Sequence, residues 1–110
     1  MIIFDYADNK KYGTLKFEGR LTIENIEELK NSFISSFDKT DHIILDHSKA
    51  EEFDFAYLQL LLAVLKTSHR RNKKFSIVKE NAGSFMELCA KAGFGNSDET
   101  KFFIEENKGN

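Results

Sequence analysis

A buried strand that leads through a short acidic loop into an unusually apolar helix limits this chain to a small set of folds. His42–Asp46 is a nearly continuous apolar run, as expected for a central strand that helices cover. Phe55–Arg70 carries apolar residues on more than one helical face. The intervening loop places Asp54 where the helix begins. In an α/β sheet that point lies at the carboxyl edge of the strands, where partners usually bind.

Hydrophobic periodicity elsewhere predicts an α/β domain with the order β-β-α-β-α-β-α-β. Gly19 is predicted to end the first hairpin, and Thr22 to N-cap the first helix. The pattern indicates a single domain over residues 1–105 with a mixed sheet of four to five strands and helices mainly on one face, followed by a polar tail at 106–110. The other elements are predicted as strands Ile2–Tyr6, Thr14–Glu18, Lys74–Val78 and Phe102–Ile104, and as helices Thr22–Phe37 and Phe85–Ala92.

Composition excludes several classes of function. The chain has 110 residues and a net charge of -2, so no global field attracts nucleic acid or an anionic membrane. No apolar run approaches the roughly 20 residues that span a bilayer, and the N-terminus does not resemble a signal peptide. The only cysteine, Cys89, excludes an internal disulfide and fits a reducing compartment. We therefore expect a cytoplasmic protein in which Cys89 is a core thiol.

The chain offers no arrangement typical of catalysis. Its three histidines are scattered without the spacing of metal ligands, and no phosphate-binding glycine loop is present. Glu51 and Glu52 are neighbours on a predicted loop, where glutamates are usually solvated and are not an acid/base pair. The sequence therefore predicts a non-enzymatic protein with no metal site and no cofactor.

An ordered set of sequence segments resembles the pattern of a known protein family. The set comprises Gly19 after the hairpin, Ile44–Ser48, Phe53-Asp54 before Leu58–Leu62, Phe85–Leu88 and Ala92-Gly93-Phe94. In order and spacing, over essentially the whole chain, it resembles a STAS domain, the fold of bacterial anti-sigma factor antagonists. The resemblance implies a cytoplasmic regulatory module that binds a GHKL-type serine kinase, which is also an anti-sigma factor, through the loop and the start of the second helix.

The sequence differs from the family pattern at the residue whose phosphorylation controls partner binding. Regulated members read Asp-Ser-Ser/Thr-Gly in this loop, and the hydroxyl after the aspartate accepts phosphate, whose charge repels the partner. Asp54 matches that aspartate, but Phe55 occupies the phosphoacceptor position, and Ala56 and Tyr57 replace the next hydroxyl residue and the glycine. The resemblance therefore implies partner binding without phosphorylation control at this position.

The predicted partner-binding residues cluster at the loop and the start of the second helix. They are Asp54, Phe55, Ala56, Tyr57 and Leu60, with Ser48, Glu51 and Glu52 as loop contributors. Asp54 is also expected to N-cap the helix, and Ser48 to cap or turn the loop. We expect Tyr57→Ala or Asp54→Ala to abolish partner binding while changing the thermal midpoint by only a few degrees.

Several alternatives stay open at this point. The apolar surplus of Tyr57, Leu60 and Val64 suits packing on a neighbouring helix or on a partner, including a second copy of the chain. The protein is then a regulator that binds constitutively, or a STAS-like structural subunit of a lipid-transporting ABC complex or a chemotaxis assembly. A third alternative is a small-ligand sensor with its pocket at the strand ends.

Overall fold

The computed structural model describes residues 1–6, 11–78, 87–88 and 91 as one α/β domain. Its elements follow the predicted order as far as the described residues reach. They are β1 (Ile2–Tyr6), β2 (Tyr12–Leu21), α1 (Ile26–Lys39), β3 (His42–Phe53), α2 (Phe55–Arg70) and β4 (Lys74–Ile77).

The four strands form one mixed sheet in the order β1-β2-β3-β4. β1 and β2 are antiparallel, whereas β2, β3 and β4 are mutually parallel and are joined by the crossover helices. Alternate strand residues such as Leu15, Ile43 and Phe75 are buried, and they pack in one core with residues of α1 and α2. The predicted mixed sheet with helices mainly on one face is therefore confirmed.

β2 and β3 are longer than the sequence indicates. Gly19 does not end the hairpin, because β2 continues through it to Leu21, and Gly19 itself has a φ of +92°. β3 continues through the predicted acidic loop to Phe53. Two irregularities in the β2–β3 register each add one residue to β3, so the long strands stay paired although their alternation changes.

The first helix begins differently from the prediction. A single 3-10 turn, Ile23–Asn25, precedes α1, and Thr22 flanks that turn without a capping hydrogen bond from its side chain. The prediction that Thr22 is the N-cap of the helix is therefore wrong. The first amide of the 3-10 turn, that of Ile23, instead donates to a carboxylate from another part of the chain.

A lysine that follows α2 stabilises the end of the neighbouring helix α1. The Lys73 ammonium donates to the backbone oxygens of Phe37 and Thr40 at the end of α1. Asn72 adopts a left-handed conformation with φ 55°, which asparagine tolerates better than most residues and which turns the chain towards β4. The Lys73 side chain thus satisfies backbone carbonyls at the end of α1.

Part of the sequence prediction falls on residues that the structure does not describe. Glu87, Leu88 and Lys91 are helical, and Leu88 packs against the core. The rest of the predicted third helix, including Cys89, lies outside the described residues. The same is true of the strand Phe102–Ile104 and the tail at 106–110.

Candidate docking site

The carboxylate of Asp54 connects the beginnings of both helices. Asp54 has extended backbone angles directly before α2, and its Oδ1 accepts a hydrogen bond from the Tyr57 amide at 3.0 Å. Its Oδ2 accepts from the Ile23 amide at 2.8 Å, across 31 residues of sequence. The predicted N-cap of α2 is confirmed, and the same side chain also caps the 3-10 turn before α1.

We expect Asp54→Ala to lower the free energy of unfolding by about 2 kcal/mol, because two helix-start amides lose their acceptor at about 1 kcal/mol each. Asp54→Asn keeps one acceptor oxygen and should lose about half as much. Denaturant unfolding of the three proteins measures the difference. Equal stability of the wild type and Asp54→Ala would contradict this expectation, because it would mean that neither cap contributes to the stability of the fold.

Apolar side chains surround this carboxylate on the outside of the molecule. Phe55, at the first position of α2, is 54% exposed, and Ile23, whose amide Asp54 binds, is 62% exposed. Ala56, the next residue of α2, and Leu60, one turn further along the helix, are half-buried. We call these four residues the docking face. A phenylalanine and an isoleucine exposed to this extent at one end of the domain favour contact with another molecule.

Tyr57 does not belong to this face. Its side chain is 0% exposed, and its ring stacks on Phe53 at a centroid distance of 5.5 Å. The prediction that Tyr57 contacts a partner is therefore wrong. It follows Phe55 by two positions, so it points to the opposite side of the helix, into the core.

A buried histidine holds the Tyr57 hydroxyl. The His47 Nδ1 lies 2.9 Å from that hydroxyl, and both side chains are fully buried. Burial lowers the pKa of His47 to about 4, although the nearby Asp46 acts in the opposite direction. Burial also raises the pKa of Tyr57 well above its usual value. The pair is therefore neutral at pH 7 and supports the site from inside.

The predicted loop contributors do not join the docking face. Ser48, Glu51 and Glu52 lie in β3 because the strand replaces the predicted loop. The Ser48 amide donates to Asp46 Oδ1 at 3.0 Å, but Ser48 lies within the strand and does not cap or turn a loop as predicted. Glu52 accepts from Arg20 Nε at 3.0 Å, and Glu51 is exposed beside it. The acidic pair thus borders the site on strand β3 and is not a mobile charged loop.

A family model described as "Mlab, STAS domain" matches residues 4–104 of the chain. The chain belongs to the STAS domain family. The match agrees with the mixed sheet and the two crossover helices described above.

Solved structures show the same fold. The anti-sigma factor antagonist SpoIIAA in its unphosphorylated form has a TM-score of 0.69 at 12% identity, with 100% of this chain and 98% of SpoIIAA covered. The phosphorylated form of SpoIIAA from Bacillus gives 0.66 at 10% identity, covering 92% and 96%. An antisigma-factor antagonist STAS domain from Rhodobacter sphaeroides gives 0.59 at 18% identity, covering 70% and 83%. No curated protein matches the chain.

Three properties of this STAS domain bear on what it can bind. No helix in the described part of the chain is long and apolar enough to cross a membrane. Residues 1–6, 11–78, 87–88 and 91 contain no group of three His, Cys, Asp or Glu residues that is suited to a metal ion. The side chains of the docking face are apolar, and both oxygens of the neighbouring Asp54 accept hydrogen bonds from backbone amides.

Proposed function

We propose that this STAS domain is a non-enzymatic, cytoplasmic binding module that docks a regulatory protein through the docking face. The exposed Phe55 at the start of α2 is the observation that carries the proposal. Aromatic anchors dominate the binding energy of many interfaces, and an exposed phenyl ring gains about 2 kcal/mol or more when a partner buries it. By the family resemblance, the partner is a GHKL-type serine kinase that is also an anti-sigma factor.

The same residue argues that binding is constitutive. Phe55 occupies the position at which regulated STAS domains carry the phosphorylated hydroxyl, and a phenyl ring accepts no phosphate. The nearest hydroxyl in α2 belongs to Tyr57, which is buried against His47. The charge change that would repel a partner is therefore not available at this position.

We expect Phe55→Ala to weaken binding to a purified GHKL-type kinase of the same genome about 10-fold or more, because the anchor is lost. Tyr12→Ala is the matched control, since Tyr12 is a 51% exposed aromatic residue on β2. Isothermal titration of both variants measures the effect. Equal losses, or no loss with Phe55→Ala, would refute docking through this face.

A phosphorylation assay tests the constitutive part separately. With kinase and ATP, mass spectrometry should find no phosphate on residues 53–60 of the wild type, whereas Phe55→Ser restores an acceptor and should be modified. Phosphate on Ser48 of the wild type would contradict constitutive binding.

A structural subunit of a larger assembly is the second candidate. The lack of a phosphoacceptor at Phe55 also suits a permanent subunit, for example in a lipid-transporting ABC complex or a chemotaxis array. Such a subunit should co-purify in fixed stoichiometry with a membrane ATPase or an array component, and Phe55→Ala should release it. A regulator should exchange freely with its kinase.

A further inference from the structure

An apolar groove of about 460 Å³ runs between α1 and α2 on the outside of the domain. It begins at the docking face, where Ile23, Ala56 and Leu60 form its first part, and it ends near Arg71 after α2. Both helices follow parallel strands, so they lie side by side and run in the same direction. The apolar lining includes Ile23, Ile26, Ile34, Leu60, Ala63 and Val64.

The groove is open along its length. Phe33 and Phe37 are buried and form its floor, whereas Ile23 is 62% exposed and Ile34 is 49% exposed at its edge. An enclosed pocket for a small ligand would bury such aliphatic side chains, as pockets usually cover most of the surface of their ligands. An open trough suits an elongated occupant that covers the floor and both edges together.

The charged residues at the groove all have the same sign. Of the described residues that line it, Lys30 and Arg71 are basic and none is acidic. Arg71 donates to Asp38 Oδ1 at 3.0 Å, so its charge is already compensated. Lys30 forms no ion pair with any described residue, and its ammonium is the charge that an occupant would meet.

The dimensions of the groove match an α-helix. From Ala56 to Arg71 it spans about 22 Å at 1.5 Å per residue, which is the length of a helix of roughly 15 residues. Two adjacent parallel helices present a groove into which the ridge of a third helix packs at an interaxial distance of about 8–10 Å. The apolar lining would then bury the i, i+4 stripe of that third helix.

We propose that this groove binds an amphipathic helix of a partner protein, about four turns long, with an aliphatic stripe on the floor and a carboxylate opposite Lys30. The inference rests on the proposed function and names the structural element that the docking face recognises. A second copy of this chain fits less well. A two-fold contact would place one concave groove against another, and both grooves would carry the same basic charges.

Two synthetic peptides test this proposal. Each is a hydrocarbon-stapled helix of about 16 residues with leucine at i, i+4 spacing; one carries glutamate beside the stripe and the other carries lysine. Titration of the isotope-labelled full chain by NMR should shift the amides of Lys30, Ile34, Ala63 and Thr67 with the glutamate peptide. Back-face residues such as Thr14 and Ser76 should not respond.

Variants with surface substitutions establish where and how the peptide binds. Ala63 is exposed within the groove, so Ala63→Arg should lower the affinity for the glutamate peptide at least 10-fold without altering the fold. Lys30→Glu should lower the affinity for the glutamate peptide about three- to fivefold and raise the affinity for the lysine peptide. Lys66→Glu makes the same charge change at an exposed position of α2 that does not line the groove, and should have no effect.

The alternative outcomes are distinct. The proposal is overturned if neither peptide shifts the groove amides, or if both bind equally well and Ala63→Arg does not matter. It is also overturned if the chain is a dimer that Ala63→Arg dissociates, or if dodecanoate and not the peptide shifts the groove amides. If Phe55→Ala abolishes kinase binding while Ala63→Arg leaves it intact, the docking function stands and the groove proposal alone fails.

Discussion

Tyr57→Ala is expected to lower the free energy of unfolding by about 3–5 kcal/mol, the loss typical when a buried aromatic side chain is truncated. Tyr57 is fully buried, stacks on Phe53 and meets the edge of Phe17 at a centroid distance of 6.4 Å. For a domain of this size the loss corresponds to a decrease in Tm of about 12 °C or more. Calorimetry or thermal denaturation followed by circular dichroism measures it.

Tyr57→Phe is the matched control, because it keeps the ring and removes only the hydroxyl that binds His47. It should cost about 1–2 kcal/mol, since a buried histidine nitrogen loses its partner while the packing persists. A Tm of Tyr57→Ala within a few degrees of the wild type would instead support the prediction from the sequence that Tyr57 contacts a partner. If Tyr57→Ala is strongly destabilised as expected, a loss of partner binding in this variant would reflect unfolding and would not identify Tyr57 as a contact residue.

Acid is expected to weaken the fold through His47. The pKa of His47 is lowered by burial to about 4 in the folded state, against 6.5 for an ordinary histidine. Between these values the unfolded chain binds a proton that the folded chain does not, so the free energy of unfolding falls as the pH decreases from 6.5 to 4. The whole window corresponds to about 3 kcal/mol.

Denaturant titrations at several pH values from 7.5 to 4.5, on the wild type and on His47→Gln, isolate this contribution. Subtracting the two profiles removes the carboxylates that both proteins share. The variant should be less stable at pH 7, because glutamine replaces the ring that contacts Tyr57 and Phe53, but its stability should depend less on pH. Parallel profiles would mean that His47 does not titrate in this window.

The regular parts of the fold could be predicted because their patterns are local. β1 is found as predicted, and β3 begins at the predicted residue with alternate residues buried. The stripe Leu29, Phe33 and Phe37 of α1 is buried as its periodicity indicates. The boundaries were less predictable, because β2 and β3 extend each other by pairing. The mostly charged segment Lys49–Glu52 gives no strand signal of its own.

The site was predictable in place but not in detail. The Asp54 cap of α2 follows from its position before the helix, and Phe55 is exposed as a docking residue must be. The second hydrogen bond of Asp54, to Ile23, joins segments 31 residues apart, and no local pattern indicates it. The groove could not be predicted from the sequence either. Ile34 and Leu60 belong to different helices, and they form one surface only because those helices pack side by side.

The sequence alone determined the α/β architecture and the helix-capping aspartate, and through the family resemblance it implied that Phe55 stands at the phosphoacceptor position. Each depends on residue type or on the spacing of neighbours along the chain. The tertiary structure decided which side of α2 faces the core, and so it separated Tyr57, which the core and His47 hold, from Phe55, which is free to meet a partner. The physical reason is that the burial of a residue depends on which distant parts of the chain pack against it. The sequence shows that a residue is apolar, but it does not show whether the core or a partner covers that residue.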